Sequence, residues 1–187
     1  MGFWEEPPGA LGYRWLVPAT PEPSPGRAPV FLTEEVDAEG DGRLVSLDGS
    51  FRLRAASVGD IDGLLGMWLE AAENLSRPTD TREAVASLLD RDPEAVIVAE
   101  RDGELIGSVI AGWDGWRCHL YRLAVRPQWR RKGVASALLR AAEDRFRALG
   151  ARRADAMVLD SNDLGRNLWL ASGYQRQDDW RRWVKPI

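Results

Sequence analysis

The sequence predicts an α/β (α+β) domain: a mixed, mostly antiparallel sheet with one parallel strand-helix-strand crossover and about four helices. Three observations carry this prediction. Two β-rich runs flank Arg101-Asp102-Gly103, a hairpin signal. A third, Cys118 to Val125, leads through a basic turn around Gly133 into a long amphipathic helix. A further strand follows that helix, and this order demands a parallel pair joined by a right-handed link.

Taken in chain order, residues 1–50 hold Pro7, Pro8, Pro18, Pro21, Pro23, Pro25 and Pro29 and then the polar stretch Asp37 to Gly42. They read as a mostly irregular extension or linker, partly docked through Phe3, Trp4, Tyr13, Trp15 and Phe31, since aromatics bury large apolar areas. Residues 51–187 read as the domain. Phe51, Leu53 and Ala55 alternate with Arg52 and Arg54 as a half-buried strand does. Ser57 and Asp60 form a capping-box signal for a helix burying Ile61, Leu64, Leu65, Trp68 and Leu69. Asp80-Thr-Arg-Glu83 opens a second helix with Val85, Leu88 and Leu89, closed by Pro93.

The paired strands are Ala95 to Glu100 and Glu104 to Gly112; both central positions of a type I′ turn need positive φ, which Asp-Gly supplies. Cys118 to Val125 stops at Arg126-Pro127, because proline denies the ladder its next N–H. The long helix carries Val134, Leu138, Ala141, Phe146 and Leu149 on one face and ends at Gly150. A strand at Ala154 to Leu159, a short helix from Asn162 to Ser172 capped by Gly173, and a last strand within Gln175 to Ile187 complete the domain.

Composition narrows the function. Hydrophobic residues make up 44% and charged residues 29% of 187, as in ordinary globular proteins. No run of about 18 apolar residues predicts a membrane span, and Met1 to Pro8 lacks the basic end and apolar core of a signal peptide, so the expected compartment is the cytoplasm. Cys118 is the only cysteine and His119 the only histidine, which argues against disulfides within the chain and a dedicated metal site. A net charge of −4 argues against nucleic-acid binding by overall attraction.

The chemistry concentrates in Leu123-Ala-Val-Arg-Pro-Gln-Trp-Arg-Arg-Lys-Gly-Val-Ala-Ser-Ala-Leu-Leu139: strand end, basic turn, helix start. The first N–H groups of a helix lack internal partners and sit at its positive dipole end, so a pyrophosphate there gains several charge-assisted hydrogen bonds. Gly133 and Ala135 let phosphates approach the backbone. Residue by residue, Arg130, Arg131 and Lys132 read equally as a solvated charge run; the order of elements around them favours anion binding. Neither GxxxxGK[ST] nor GxGxxG occurs, which argues against nucleoside triphosphates and dinucleotides.

Arg130-x-x-Gly133-x-Ala135 between a central strand and a helix resembles the acetyl-CoA signature of the GCN5-related N-acetyltransferase (GNAT) superfamily, and the likeness runs from about Phe51 to Ile187. Gly112-Trp-Asp-Gly-Trp116 followed by Tyr121 to Val125 looks like a YpeA-like bacterial branch. The resemblance implies acetyl-CoA as co-substrate and a primary amine, of a small molecule or a protein, as acceptor. It further implies that the backbone of Leu123, Ala124 and Val125 pairs with the pantetheine arm, that Arg130, Arg131, Lys132, Gly133, Val134, Ala135 and Ser136 hold the pyrophosphate, and that Asn162 bonds near the pantetheine or thioester. It also implies that the sheet splays between the strands at 118–125 and 154–159.

Transfer to an amine needs a base, because a lysine ammonium has a pKa of about 10.4. Asp114, His119 and Tyr121 are the candidates. Histidine has the ordinary pKa best suited, about 6.5, although His119 equally fits a structural strand position, and Asp114 suits a turn. Where many family members place an acid tyrosine, seven residues after the asparagine, this chain has Trp169, whose indole donates a hydrogen bond but no proton at neutral pH. That departure leaves a second reading open, a catalytically silent acyl-CoA sensor or interaction module. Tyr174 reads as a core aromatic and Cys118 as a small core residue. Single-stranded RNA contact through Arg117, Arg122, Arg126, Arg130, Arg131 and Trp129 is a minor third reading. Glu70 to Arg82 is expected to line the acceptor pocket, and the nine tryptophans make a homodimer a possible assembly.

Overall fold

A computed structural model describes residues 50–71 and 78–185, together with the backbone of residues 32–36 and 42–46. Seven strands form one sheet in chain order: β1 Leu32–Val36, β2 Gly42–Ser46, β3 Arg52–Ala55, β4 Val96–Arg101, β5 Glu104–Trp113, β6 Cys118–Val125 and β7 Ala154–Ala156. Every neighbouring pair is antiparallel except β6 and β7, which are parallel. The helices are α1 Ile61–Glu70, α2 Arg82–Arg91, α3 Val134–Ala148 and α4 Asp163–Ala171. The mixed sheet, the single crossover and the four helices agree with the sequence prediction.

Helix α3 covers one face and α1 with α2 the other. Strand β4 is buried on both, which explains its unbroken apolar run: Ile97 and Ala99 face the α3 core, Val96 and Val98 the α1/α2 core. At the hairpin Asp102 and Gly103 take φ of 50° and 80°, as the primed turn requires. Gly107 on β5 lies against α3: a Cβ there would meet Val134 Cγ1 at 2.9 Å and Leu138 Cδ1 at 3.1 Å. At its other end α3 is held by Arg145, which bonds the carbonyl of Ala111 at 2.9 Å and Asp92 at 2.5 Å.

The entry to α1 rests on a charge network. Arg54 donates to both oxygens of Asp60, at 2.7 and 2.8 Å, and to Glu100 at 2.6 Å, while Arg52 bonds the other oxygen of Glu100. The Ser57 N–H donates to Asp60 at 2.7 Å. Hydrogen bonding from Arg54, with smaller help from Ser57 and against the cost of burial, holds the Asp60 carboxyl at about 2. Burial works against ionisation of Glu100, but the two arginines outweigh it and its pKa is lowered too.

Several expectations change. The extension supplies two strands that lengthen the sheet beyond β3, so part of the stretch read as linker is a hairpin; the proposed aromatic anchors lie outside the described residues. Strand β7 stops at Ala156 rather than Leu159, because it parts from β6 after three rungs and no ladder holds Met157 to Leu159. No strand forms from Gln175 to Lys185: Trp180 and Trp183 are largely exposed, and Arg181 bonds the nearby carbonyls of Asp178 and Trp180, a local turn instead of a ladder. Leu69 and Leu149 are also exposed: the helix period turns Leu69 past the face of α1 on which Met67 and Trp68 lie, and Leu149 is the C-cap residue beyond the last turn of α3.

The network predicts acid sensitivity. Since the folded pKa of Asp60 lies below its ordinary 3.8, its contribution is complete above about pH 4 and is lost as pH falls through about 2. Asp60→Asn is expected to cost about 1–2 kcal/mol in urea unfolding at pH 7, solvent screening included, with the gap to wild type closing between pH 4 and pH 2.

Candidate functional site

Strands β5 and β6 lose register midway: Ser108 pairs with Ala124 but Ile110 with Tyr121, so Arg122 and Leu123 oppose the single Val109. This is a β-bulge, with Arg122 at φ 50°. Its seat is polar and buried. Ser108, fully buried, accepts from Trp68 Nε1 at 2.8 Å and lies 3.3 Å from the Arg122 carbonyl, to which its hydroxyl donates. The Arg122 guanidinium turns away to grip both oxygens of Asp80 at 2.6–2.9 Å.

At the bulge the sheet is already open. Strands β6 and β7 pair only through Cys118–Ala154, His119–Asp155 and Leu120–Ala156. From Tyr121 to Val125 the outer edge of β6 faces no partner strand among the described residues, leaving backbone donors and acceptors for a guest chain. Leu123 and Val125 direct their side chains into the α3 core and Ala124 into the other, so contact with a guest on this edge falls to their backbone.

Past Val125, a short 3-10 turn at Pro127–Trp129 leads to Arg130, which is extended and bonds the Val125 carbonyl through Nε at 3.2 Å. Arg131 adopts φ 61° and Gly133, the N-cap of α3, φ 84°. The first i to i+4 bond of the helix runs from Ala137 N–H to the Gly133 carbonyl at 3.0 Å. The N–H groups of Val134, Ala135 and Ser136 therefore have no intrahelical partner and present the positive helix end. Val134 anchors this turn in the core, being 1% exposed. Lys132 Nζ sits 4.6 Å and Arg101 Cζ 5.1 Å from the Trp129 ring. Backbone N–H groups, a helix dipole and cations stand together here, an arrangement chemically able to attract an anion.

The candidate bases separate clearly. Asp114 Oδ1 accepts from the N–H groups of Trp116 at 2.8 Å and Arg117 at 2.6 Å, which lowers its pKa and commits it to the turn. Tyr121 is half exposed, and partial burial pushes its hydroxyl pKa up. His119 stands on the same face of β6 as Tyr121, ring centres 6.0 Å apart, with Asp155 Oδ2 4.0 Å from its Nδ1. Asp155 escaped the sequence reading; the alternation Ala154-Asp155-Ala156, laid parallel to β6, was the signal for it.

Asn162 is the N-cap of α4, its Oδ1 accepting from Gly165 N–H at 2.8 Å, so part of its bonding capacity serves the helix rather than a thioester. Trp169 packs edge-on against Tyr174, centroids 4.8 Å apart, beside the α3 core. Burial, with Glu143 close by, raises the Tyr174 pKa far enough to keep its proton at neutral pH. Cys118 is 1% exposed and burial pushes its thiol up, an inert core residue. Of the arginines considered for RNA, Arg122 holds Asp80, Arg126 bonds Glu70 and the Leu105 carbonyl, and Arg117 covers Trp116. Of Glu70 to Arg82, residues 72–77 lie outside the described residues. Among the described residues no group of three His, Cys, Asp or Glu side chains is arranged to hold a metal ion, and no helix is long and apolar enough to cross a membrane.

Residues 65–174 match the Acetyltransferase (GNAT) family. An acetyltransferase of Pectobacterium atrosepticum is 32% identical over 119 residues, 64% of this chain and 84% of that protein. One of Yersinia enterocolitica is 32% identical over 127 residues, 67% and 89%. Among solved structures, the aminoglycoside N-acetyltransferase AAC(6')-Iy in complex with CoA superposes with a TM-score of 0.61 at 20% identity, over 73% of this chain and 95% of that one. Ard1 from Thermoplasma volcanium superposes with a TM-score of 0.60 at 21% identity, over 66% and 82%. These two show the fold.

The α4 cap yields a prediction. A Cβ at Gly165 would collide with the Asn162 amide. Gly165→Ala is expected to break the cap, a loss of about 1 kcal/mol that alanine's helix propensity, worth about 0.5–1 kcal/mol over glycine, largely offsets, so that Tm in a thermal melt falls by no more than about 2 °C. The double variant with Asn162→Ala should melt no lower than Asn162→Ala alone, because the same bond is lost once.

Proposed function

The chain belongs to the GNAT acetyltransferase family, and on that premise we propose that it moves an acetyl group from acetyl-CoA to a primary amine by direct transfer within one ternary complex. The observation that carries this reading is the junction of two features: the β6 edge left open beyond Leu120, and the Arg130–Ser136 turn at the end of that edge. The turn holds the pyrophosphate of acetyl-CoA, and the backbone of Leu123, Ala124 and Val125 pairs with the pantetheine arm as an added strand would. The thioester then lies toward the closed end of the split, near His119 and Tyr121.

The reaction is proton removal followed by acyl transfer. His119 takes a proton from the acceptor ammonium. The freed nitrogen lone pair attacks the thioester carbonyl carbon, a C–N bond forms and the C–S bond breaks. The CoA sulfur departs as thiolate, whose ordinary pKa of about 8.5 makes it a tolerable leaving group, and the second amine proton passes to that thiolate through solvent as the amide forms. Trp169 supplies no proton, and half-buried Tyr174 keeps its own. Asp114 and Tyr121 line the acceptor side without serving as bases, the first tied to its turn and the second too weakly ionised. The catalytic domain on this reading spans residues 51–187.

A catalytically silent acyl-CoA-binding module is favoured by one observation, the tryptophan at position 169 and its packing on Tyr174. Calorimetry and turnover separate the readings. Acetyl-CoA is expected to bind wild type, and the Arg131→Glu, Gly133→Glu variant to lose at least about 100-fold in affinity, two bonds' worth of anion recognition. Absence of wild-type binding would overturn the proposal. Binding without CoA release across a broad amine panel would select the silent module. In an active enzyme, His119→Gln is expected to lower kcat by about 10²–10³ with acetyl-CoA affinity unchanged.

A further inference from the structure

We propose that Asp155, clamped by Arg153, is a positioning residue that turns the His119 imidazole so that Nε2 presents its lone pair to the acceptor amine. The inference rests on the reading of His119 as base. It starts from alternation. Cys118 and Leu120 on β6, and Ala154 and Ala156 on β7, all pack toward the α3 core. His119 and Asp155, which lie between them, therefore share the opposite face. They are direct partners on the middle rung of the three-rung parallel ladder, one rung from where the sheet opens.

The carboxylate is not free to turn. Asp155 Oδ1 accepts from Arg153 Nε at 2.7 Å, which leaves Oδ2 facing the imidazole, 4.0 Å from Nδ1. Both side chains are about one-third exposed, at 36% and 31%, so each has room for the small rotation that closes this gap. Catalytic hydrogen bonds are commonly long before substrate binds and tighten in the complex. Asp155 is the one carboxylate within 4.0 Å of His119 among the described residues. The other titratable and charged groups near the ring do not contact its nitrogens: Asp114, whose charge also interacts with His119, bonds the N–H groups of its own turn, Tyr121 stands 6.0 Å away, and Arg182 acts on Tyr121. The β5 partner of His119 is Gly112, which carries no side chain.

A neutral imidazole has one N–H and one lone pair, and a carboxylate beside Nδ1 selects the form with the proton on Nδ1. Nε2 is then left as the acceptor. The proton from the ammonium goes to Nε2, Asp155 stays ionised, and its charge stabilises the imidazolium that forms. An imidazole in the other form would direct an N–H at the amine and no lone pair.

His119 is the only histidine, so its tautomer is read directly by long-range 1H–15N NMR on free protein labelled with 15N-histidine, without any substrate. At a pH where the ring is neutral, wild type is expected in the Nδ1–H form, Asp155→Ala in the Nε2–H form, and Asp155→Glu again in the Nδ1–H form. In turnover, Asp155→Ala should lower kcat on the order of 10-fold, short of the 10²–10⁴ carried by a base itself, with KM for acetyl-CoA unchanged. An Nε2–H tautomer in wild type overturns the inference whatever the variants do, as does the same tautomer in wild type and Asp155→Ala. Full activity in His119→Gln would sink the base reading and leave the tautomer result standing, so the two failures are told apart.

Discussion

The close seating of α3 on β5 at Gly107 is the constraint on which the site depends. A residue with no side chain there lets Val134 and Leu138 pack directly on the strand, and Arg145 bonds the far end of the helix to the β5 carbonyl of Ala111. With both ends fixed, the first turn of α3 can lie only where β6 delivers the chain. The N–H groups of Val134 to Ser136 thus stand at the rim of the split because of packing one layer below them, and a helix raised by one methyl group would carry its dipole away from the open edge.

Arginines do two different kinds of work. Arg52, Arg54, Arg122, Arg126 and Arg145 are bonded to carboxylates or carbonyls and hold elements together. Arg130, Arg131 and Lys132 cluster on one turn beside unbonded helix N–H groups. A chain with net negative charge can therefore present a strongly cationic surface a few residues wide. Arg122 belongs to the first group and adds a backbone role: its bulge bends β6 at the opening, and its side chain closes onto Asp80 from the segment before α2.

Much of this was legible from the residues, and the exceptions have physical reasons. The Asp102-Gly103 hairpin, strand Cys118–Val125 and the start of α3 at Val134 were readable because each is fixed by local chemistry: positive φ, proline, and an amphipathic period opened by glycine. The bulge was not, since it arises from a register mismatch with β5 and leaves only an ordinary arginine in the sequence. Strands β1 and β2 lie in text whose polar stretch and neighbouring prolines mimic a linker, and pairing with β3 overrides that signal. The missing final strand shows the converse: Trp180, Trp183 and Val184 have strand propensity, yet propensity without a surface to bury makes no ladder. In the site, the basic turn at Arg130 to Ser136 was legible as a sequence junction, whereas the His119–Asp155 pairing required knowing which rungs of a parallel ladder meet across 36 residues of chain.

The order of the sheet also bears on how the molecule assembles. From β1 to β6 each strand lies beside the one that precedes it in the chain, so those rungs join near neighbours or, between β3 and β4, the ends of a helical excursion. The β6–β7 join alone closes in parallel around a helix, it has three rungs, and it forms one wall of the split. With so few rungs the seam has little cooperative support and opens readily when the native state fluctuates. A ligand spanning that opening binds the folded form and not the unsealed one. Its free energy of binding is thereby delivered to a short join of the fold, and occupancy of the site becomes a determinant of how long the protein survives proteolysis as well as of what it catalyses.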